Sequence, residues 1–227
     1  MNKSPTLLRQ EFDEIARTIA TLGNADGLSP AERALLTYLP EKCGTVLEVG
    51  CGHGALTRQV ARRARFVLAL DLSPEMIRVA LARSARQSNI EYRVADITTT
   101  ELTPATFDVV LSVAMLHHVP LDTTVARLAA AVRPGGWLLL QDLVARPGLR
   151  LLPVNALAWF VRQLRGADTR EPAARALAAQ YRAHGLDERY LTPPEADRAY
   201  AELLPGARVV HHLEWRYTIV WQRPATT

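Results

Sequence analysis

Lysine is almost missing from this chain of 227 residues: Lys3 and Lys42 are the only two, so the formal net charge of +4 is carried by arginine. The arginines are scattered (Arg62, Arg63, Arg83, Arg86, Arg127, Arg133), with no long cationic run and no interleaved aromatics. A nucleic-acid surface needs a basic patch or stripe, so nucleic acid falls behind a small molecule as the expected substrate. Codon bias in a GC-rich genome is the plainer account of the arginines. Cysteine is equally scarce. Cys43 and Cys51 fit reduced thiols rather than a disulfide framework, neither spacing suggests a metal site, and no metal ligand is named. No segment approaches the roughly 18 uninterrupted apolar residues of a spanning helix, and the opening MNKSPTLLRQEFDEI has no apolar signal core. The expectation is a soluble cytoplasmic protein with no membrane partner, a monomer or homodimer. Internal repeats, low-complexity linkers and coiled-coil heptads are absent too.

What the chain does have is alternation. Short apolar runs at 45–49, 66–70, 90–94, 107–112 and 137–141 read as buried strands, separated by helical patterns at 54–65, 74–87 and 122–132. Strand and helix in turn imply a parallel sheet covered on both faces. Ahead of this core, Phe12, Ile15, Ile19 and Leu22 keep the helical period, and Ser29-Pro30-Ala31-Glu32 carries the cap and first-turn proline of a second helix. Behind it, 147–190 lacks strand signals but holds amphipathic stretches at 154–164 and 173–184, before Thr192-Pro193-Pro194-Glu195 opens another helix. ARVVHHL and EWRYTIVWQR close the chain as two strands of an antiparallel hairpin. The expected fold is therefore one α/β domain with seven strands, mostly parallel: a helical cap (1–42), a core (43–142), an inserted helical lid (143–190), and a final helix with the hairpin (191–227).

Function concentrates in VLEVGCGHGALT, Val46 to Thr57. Gly50, Gly52 and Gly54 follow a strand and precede a helix, where a missing Cβ lets the chain turn sharply or lie against a ligand, and the helix start offers unpaired N–H groups. Two cofactors fit this loop, because Gly50, Gly52 and Ala55 also satisfy the dinucleotide fingerprint. Asp71, about 20 residues on at the end of the second strand, can accept from both ribose hydroxyls and suits either. Asp96, ending the third strand in EYRVADI, could accept from an adenine amine, which a dehydrogenase does not require there.

With Glu48 completing E-x-G-x-G-x-G, the Phe107-Asp108 opening, the Leu116-His117-His118 exit and the Arg133-Pro134-Gly135-Gly136 turn, the stretch from Thr45 to Asp142 resembles the small-molecule branch of the class I S-adenosylmethionine-dependent methyltransferases. The reversed final strand is typical of that family as well. The resemblance implies a Rossmann-like fold and S-adenosylmethionine as cofactor. It implies that Gly50, Cys51 and Gly52 line the methionyl portion, that Glu48 orients the loop and the amino group, and that Asp71 with Leu72 holds the ribose. It further implies that Ala95, Asp96 and Ile97 bracket the adenine, and that Ser112 or Val113 offers backbone to the amino-acid end. Met76 either lies near the adenine or packs its helix on the sheet.

Methyl transfer needs nucleophile, methyl carbon and sulfur in line, water excluded, and a base if the nucleophile carries a proton. His117 and His118 lie just past the carboxyl end of the fourth strand, where open α/β sheets place ligands, and Asp142 ends the fifth. Some O-methyltransferases of the family use such a histidine with such an acid; packing of the loop is the plainer role. His211 and His212 on a strand face opposite ways. Trp215, Tyr217 and Trp221 read as core, and Trp159 and Phe160 as lid residues able to line an apolar pocket. Nucleobase amine methylation normally carries Asn/Asp-Pro-Pro-aromatic where this chain has Ser112-Val113-Ala114-Met115, a catechol-type set of metal-binding carboxylates cannot be assembled, and quinone-biosynthetic signatures are missing. The expected function is methylation of O, N or C on a small organic acceptor, in secondary metabolism. The alternatives are cyclisation or rearrangement chemistry on the same fold, or an RNA or protein acceptor.

Overall fold

The computed structural model describes residues 3–22, 27–145, 172–185, 188–212 and 215–225. Seven strands form one sheet in the order β3-β2-β1-β4-β5-β7-β6. The strands are β1 (Cys43–Val49), β2 (Ala64–Asp71), β3 (Ile90–Val94), β4 (Phe107–Val113), β5 (Val132–Leu143), β6 (Arg208–His212) and β7 (Arg216–Gln222). Strands β1 to β5 pair in parallel. β7 runs antiparallel to both β5 and β6, and so is the reversed strand expected of the terminal hairpin. Parallel pairing brings the ends of β1, β2, β3 and β4 to one edge, which is where the glycine loop, Asp71, Asp96 and the Leu-His-His exit emerge.

Helices cover both faces. On one, Leu47, Val49, Val110, Leu138, Leu140 and Ile219 pack against α5 (Leu121–Ala131) and the helix Pro193–Leu203, here α7. On the other, Val46, Val67, Ala69, Val109, Leu111 and Leu139 meet α2 (Pro30–Leu35), α3 (Ala55–Val60) and α4 (Pro74–Arg83). Val109 and Val110 serving opposite layers is the period of 2 that a doubly covered strand requires. Tyr217 is buried at the first layer with Trp215 and Trp221 packed beside it, in keeping with a core role.

Several boundaries differ from expectation for local reasons. α1 (Pro5–Thr21) starts well before Phe12, because the Ser4 side chain caps Leu7 N with Pro5 in the first turn. α3 ends at Val60 rather than Arg65, since Arg63 N bonds back to Val60 O and Arg63 O accepts from Cys43 N, so that β2 begins at Ala64. β5 begins at Val132 and takes in the Arg-Pro-Gly-Gly turn, with an irregular register opposite Phe107–Val109. Ser29 and Glu32 form the full capping box of α2. The stretch 154–164, with Trp159 and Phe160, lies outside the described residues. The second lid stretch is helix α6 (Pro172–His184), packed on α1. Among the described residues no helix is long and apolar enough to cross a membrane.

Candidate active site

The glycine loop leaves β1 with three successive left-handed glycines: Gly50 at φ +74°, Gly52 at +52° and Gly54 at +78°. Gly50 N and Cys51 N both donate to Leu70 O, 2.8 and 3.0 Å, anchoring the turn to β2. A Cβ on Gly50 would lie 2.9 Å from Met115 Cβ, whereas one on Gly52 would meet nothing within 4 Å. Gly52 therefore borders open space, a cradle that its missing side chain leaves free. Glu48 is 2 % exposed and its Oε2 has no hydrogen-bond partner. Burial pushes its carboxyl up to about 8. A buried, unpartnered carboxyl oxygen behind a glycine cradle suits a cationic group such as the cofactor's α-ammonium. Cys51 is buried and its thiol is pushed well above the usual range, chiefly by burial, which makes it an inert wall.

Asp71 ties the loop to the next strand. Its Oδ2 accepts from Gly52 N at 2.7 Å and its Oδ1 from Ser73 N at 2.9 Å, while burial raises its carboxyl to about 6 against those two bonds. Beside it, a cleft of about 350 Å³ opens between α1 and Leu72, lined by Pro5, Thr6, Arg9, Gln10 and Asp13. Ile97 is buried, Ala95 is partly buried, and Asp96 Oδ1 accepts from Thr98 N and Thr98 Oγ1 at 2.8 and 2.7 Å. Met76 sits among Ile15, Ala16, Ile19 and Val79, packing α4 beneath α1. Ser112 is fully buried and donates to Val49 O at 2.8 Å; Val113 ends β4, where Ala114 turns the chain at φ +53°.

The β4 exit makes a single 3-10 turn, Leu116–His118. His117 and Asp142 meet closely: Nδ1 to Oδ1 is 2.7 Å, His117 N donates to Oδ2 at 2.9 Å, and Leu143 N donates to Oδ1 at 2.8 Å. The acid thus fixes both ring and backbone, leaving Nε2 as the nitrogen available for chemistry. His118 has different surroundings. Its Nε2 is 3.4 Å from His184 Nε2, its Nδ1 is 3.4 Å from Glu188 Oε2 without a hydrogen bond, and burial with neighbouring His117, His184 and Lys3 drives its pKa down to about 2. Of the two exit histidines, His117 has the setting of a base and His118 stays neutral.

Sequence reading missed the other walls. His184 Nδ1 is 2.6 Å from Glu11 Oε2, and Lys3 Nζ lies 2.8 Å from Glu11 Oε2 and 3.5 Å from Glu188 Oε1. Burial opposes charge on Lys3 and Glu11, but their contact outweighs it and holds the lysine above and the carboxyl below their ordinary values. Phe12 packs against His118 and His184, and Tyr190 against His117. One residue on, Asp13 Oδ1 accepts from Ser73 Oγ at 2.5 Å. A single turn of α1 therefore spans from the β2 exit to the histidine cluster, which places that cluster beside the cofactor cradle. No local pattern around Lys3, Glu11 or His184 announces this; each sits on an ordinary amphipathic helix or its leader. His211 and His212 lie elsewhere, on Asp197 and Thr218 at 2.8 Å each.

Comparison with known proteins agrees with this geometry. Residues 47–140 match the model of a methyltransferase domain. The chain is 33 % identical over 173 residues to a ubiquinone biosynthesis O-methyltransferase of Xanthomonas euvesicatoria, covering 71 % of this chain and 72 % of that one. It is 33 % identical over 183 residues to a methyltransferase of Mycobacterium tuberculosis, covering 79 % and 87 %. Among solved structures, the N-methyltransferase NodS of Bradyrhizobium japonicum, in complex with S-adenosyl-L-homocysteine, superimposes with a TM-score of 0.62 at 16 % identity over 94 % of this chain and 98 % of that one. With a cradle that fits S-adenosylmethionine and relatives of this extent, the chain belongs to the class I S-adenosylmethionine-dependent methyltransferases and is an enzyme of that family.

Proposed function

We propose that this enzyme methylates an oxygen nucleophile on a small organic acceptor, bound where the β4 exit, α1 and the segment after α6 meet. The observation that carries this reading is the buried His117–Asp142 pair: an imidazole held in one orientation by a carboxylate, at the carboxyl edge of the sheet. A hydroxyl must give up its proton as it attacks, and an oriented imidazole is suited to receive it. The O-methyltransferase relative from Xanthomonas supports oxygen over nitrogen or carbon.

S-adenosylmethionine supplies a methyl group already activated by its positive sulfonium. The chain does the rest by positioning. Glu48 and the backbone of Gly50 to Gly52 hold the methionyl end, Asp71 with Leu72 takes the ribose, and Asp96 with Ala95 and Ile97 takes the adenine. Met76 supports that pocket from below. Phe12 and Tyr190 would wall off water, and His117 would take the proton that the acceptor's hydroxyl loses on gaining the methyl group. A small acceptor from secondary metabolism, met in the cytoplasm, is in keeping with a sequence that carries no basic stripe.

The test is turnover of labelled S-adenosylmethionine by purified protein against a panel of phenols and hydroxylated natural products. His117→Ala and Asp142→Asn are expected to lower kcat by roughly 10²–10⁴-fold with little change in S-adenosylhomocysteine affinity. An acceptor altered without gaining a methyl group would overturn the reading in favour of rearrangement or cyclisation.

A further inference from the structure

Three histidines from distant parts of the chain, His117, His118 and His184, place one ring nitrogen each within 4.8 Å of the others. Each has a carboxylate at its Nδ1: Asp142 on His117 at 2.7 Å, Glu11 on His184 at 2.6 Å and Glu188 on His118 at 3.4 Å. That pattern turns the Nε2 atoms away from the carboxylates, and those of His118 and His184 face each other at 3.4 Å. Carboxylate–histidine pairs of this kind are the usual outer support of imidazole metal ligands, fixing the tautomer and raising basicity.

Proton placement makes the cluster unsatisfied as it stands. With its Nδ1 hydrogen committed to Glu11, His184 presents a lone pair at Nε2. His118 Nε2 is 3.4 Å away. If His118 carries its hydrogen on Nδ1, toward Glu188, two bare lone pairs face each other. If it carries the hydrogen on Nε2, a bare Nδ1 lone pair faces the Glu188 carboxylate, and that buried Nδ1 indeed has no hydrogen-bond partner. Either neutral tautomer leaves one clash of lone pairs. Either an extra proton on His184 or a metal ion between the Nε2 atoms removes it, and only the metal ion also draws on the third ring, His117. The separation also fits, because two nitrogens at the usual Zn–N length of about 2.0–2.1 Å in a tetrahedral arrangement lie about 3.3 Å apart.

Charge points the same way. Asp142, Glu11 and Glu188 surround the rings, and Lys3, at 2.8 Å from Glu11 and 3.5 Å from Glu188, cancels one of the three. The two negative charges left around the three rings match a divalent ion. We propose that His117, His118 and His184 form a binding site for a divalent first-row metal ion of zinc type, with Asp142, Glu188 and Glu11 as its supporting carboxylates. Three protein ligands leave a fourth position open, the arrangement of metal sites that bind substrate. This rests on the acceptor lying at the same cluster: with the ion bound, His117 Nε2 would be a ligand in place of the base, and the ion would hold the acceptor's oxygen and lower its pKa so that the proton passes to solvent water. Sequence spacing hides such a site, since 66 residues separate His118 from His184.

The probe is Co²⁺, added to chelator-stripped full-length protein and followed by visible absorption and metal analysis. The expected result is one ion per chain with the intense bands of a four- or five-coordinate site, displaced by Zn²⁺. His118→Ala and His184→Ala are expected to abolish the spectrum. Glu11→Gln, which keeps every ligand, should weaken affinity about 10–100-fold, an effect that mere packing would not produce. S-adenosylhomocysteine titration of each variant reports whether it is folded, and Glu11→Gln serves as the test should an alanine variant not fold. No stoichiometric binding, or binding unchanged in Glu11→Gln and in the folded histidine variants, overturns the site. Methyl transfer at full rate by stripped protein would overturn the ion's part in the reaction while leaving the methyltransferase reading intact.

Discussion

Glu48 and Asp71, as the proposed cofactor contacts, are expected to give cofactor binding its pH dependence. Burial raises both carboxyls, to about 8 and about 6 from ordinary values of 4.5 and 3.8, so the folded chain holds protons that the unfolded chain has lost. Their contribution to stability is greatest at low pH and falls as pH rises through each folded value. Cofactor binding runs the opposite way, because only an ionised Asp71 accepts fully from the ribose hydroxyls. S-adenosylhomocysteine affinity is therefore expected to rise with pH through about 6, on Asp71, and on to about 8, on Glu48, as titration calorimetry across that range would show. Near pH 7, binding of S-adenosylmethionine should release up to about one proton from Glu48, read from the dependence of heat on buffer ionisation, and Glu48→Gln should remove it. The two loop glycines separate shape from ligand space. Gly50→Ala meets Met115 Cβ at 2.9 Å as well as a strained φ and is expected to lower Tm markedly. Gly52→Ala meets open space, so its cost in stability is the roughly 1–2 kcal/mol of a left-handed alanine, with most of its effect in lost cofactor affinity. These residues were legible in sequence because glycine spacing and strand ends are local properties.

At the scale of elements, Gln141 pins α2 to the sheet. It is fully buried in β5, and its Nε2 donates to Ala31 O at 2.8 Å and to Thr218 Oγ1 at 3.0 Å, joining a helix and two strands. Gln141→Leu leaves a buried carbonyl and hydroxyl short of a donor and is expected to cost about 1–3 kcal/mol, seen as a lower denaturant midpoint with unchanged slope. Strand positions along the core were readable because each is an apolar run flanked by turn residues. Their ends were less so: α1 reaches back to Pro5 on a Ser-Pro cap outside the apolar stripe of Phe12 to Leu22, and α3 stops early because β1 recruits Arg63 O. Met76 shows the limit of inference from a helix face. Its packing under α1 comes from a helix 55 or more residues earlier, and periodicity alone cannot say which element a buried face will meet.

For the whole molecule, α1 is the piece that joins the β2 exit to the histidine cluster, the proposed cofactor and acceptor sides of the site. Asp13 bonds Ser73 at the cofactor edge while Glu11 and Phe12 touch His184 and His118. Removing residues 1–22 is therefore expected to weaken S-adenosylhomocysteine binding and to abolish turnover together, whereas His184→Ala should affect turnover alone; the affinity and kcat/KM of the two proteins check this. Sequence by itself determined the sheet and its reversed strand, since alternation acts over a few residues and survives any arrangement of distant parts; glycine spacing with Asp71 left two cofactors open, and the family resemblance chose between them. The proposed acceptor site was decided only by tertiary structure. Lys3, Glu11, His117, His118, Asp142, His184 and Glu188 become neighbours because a parallel sheet gathers its loops at one edge and α1 and α6 pack across it. A titratable group's partners, and with them its charge and chemistry, are set by that packing.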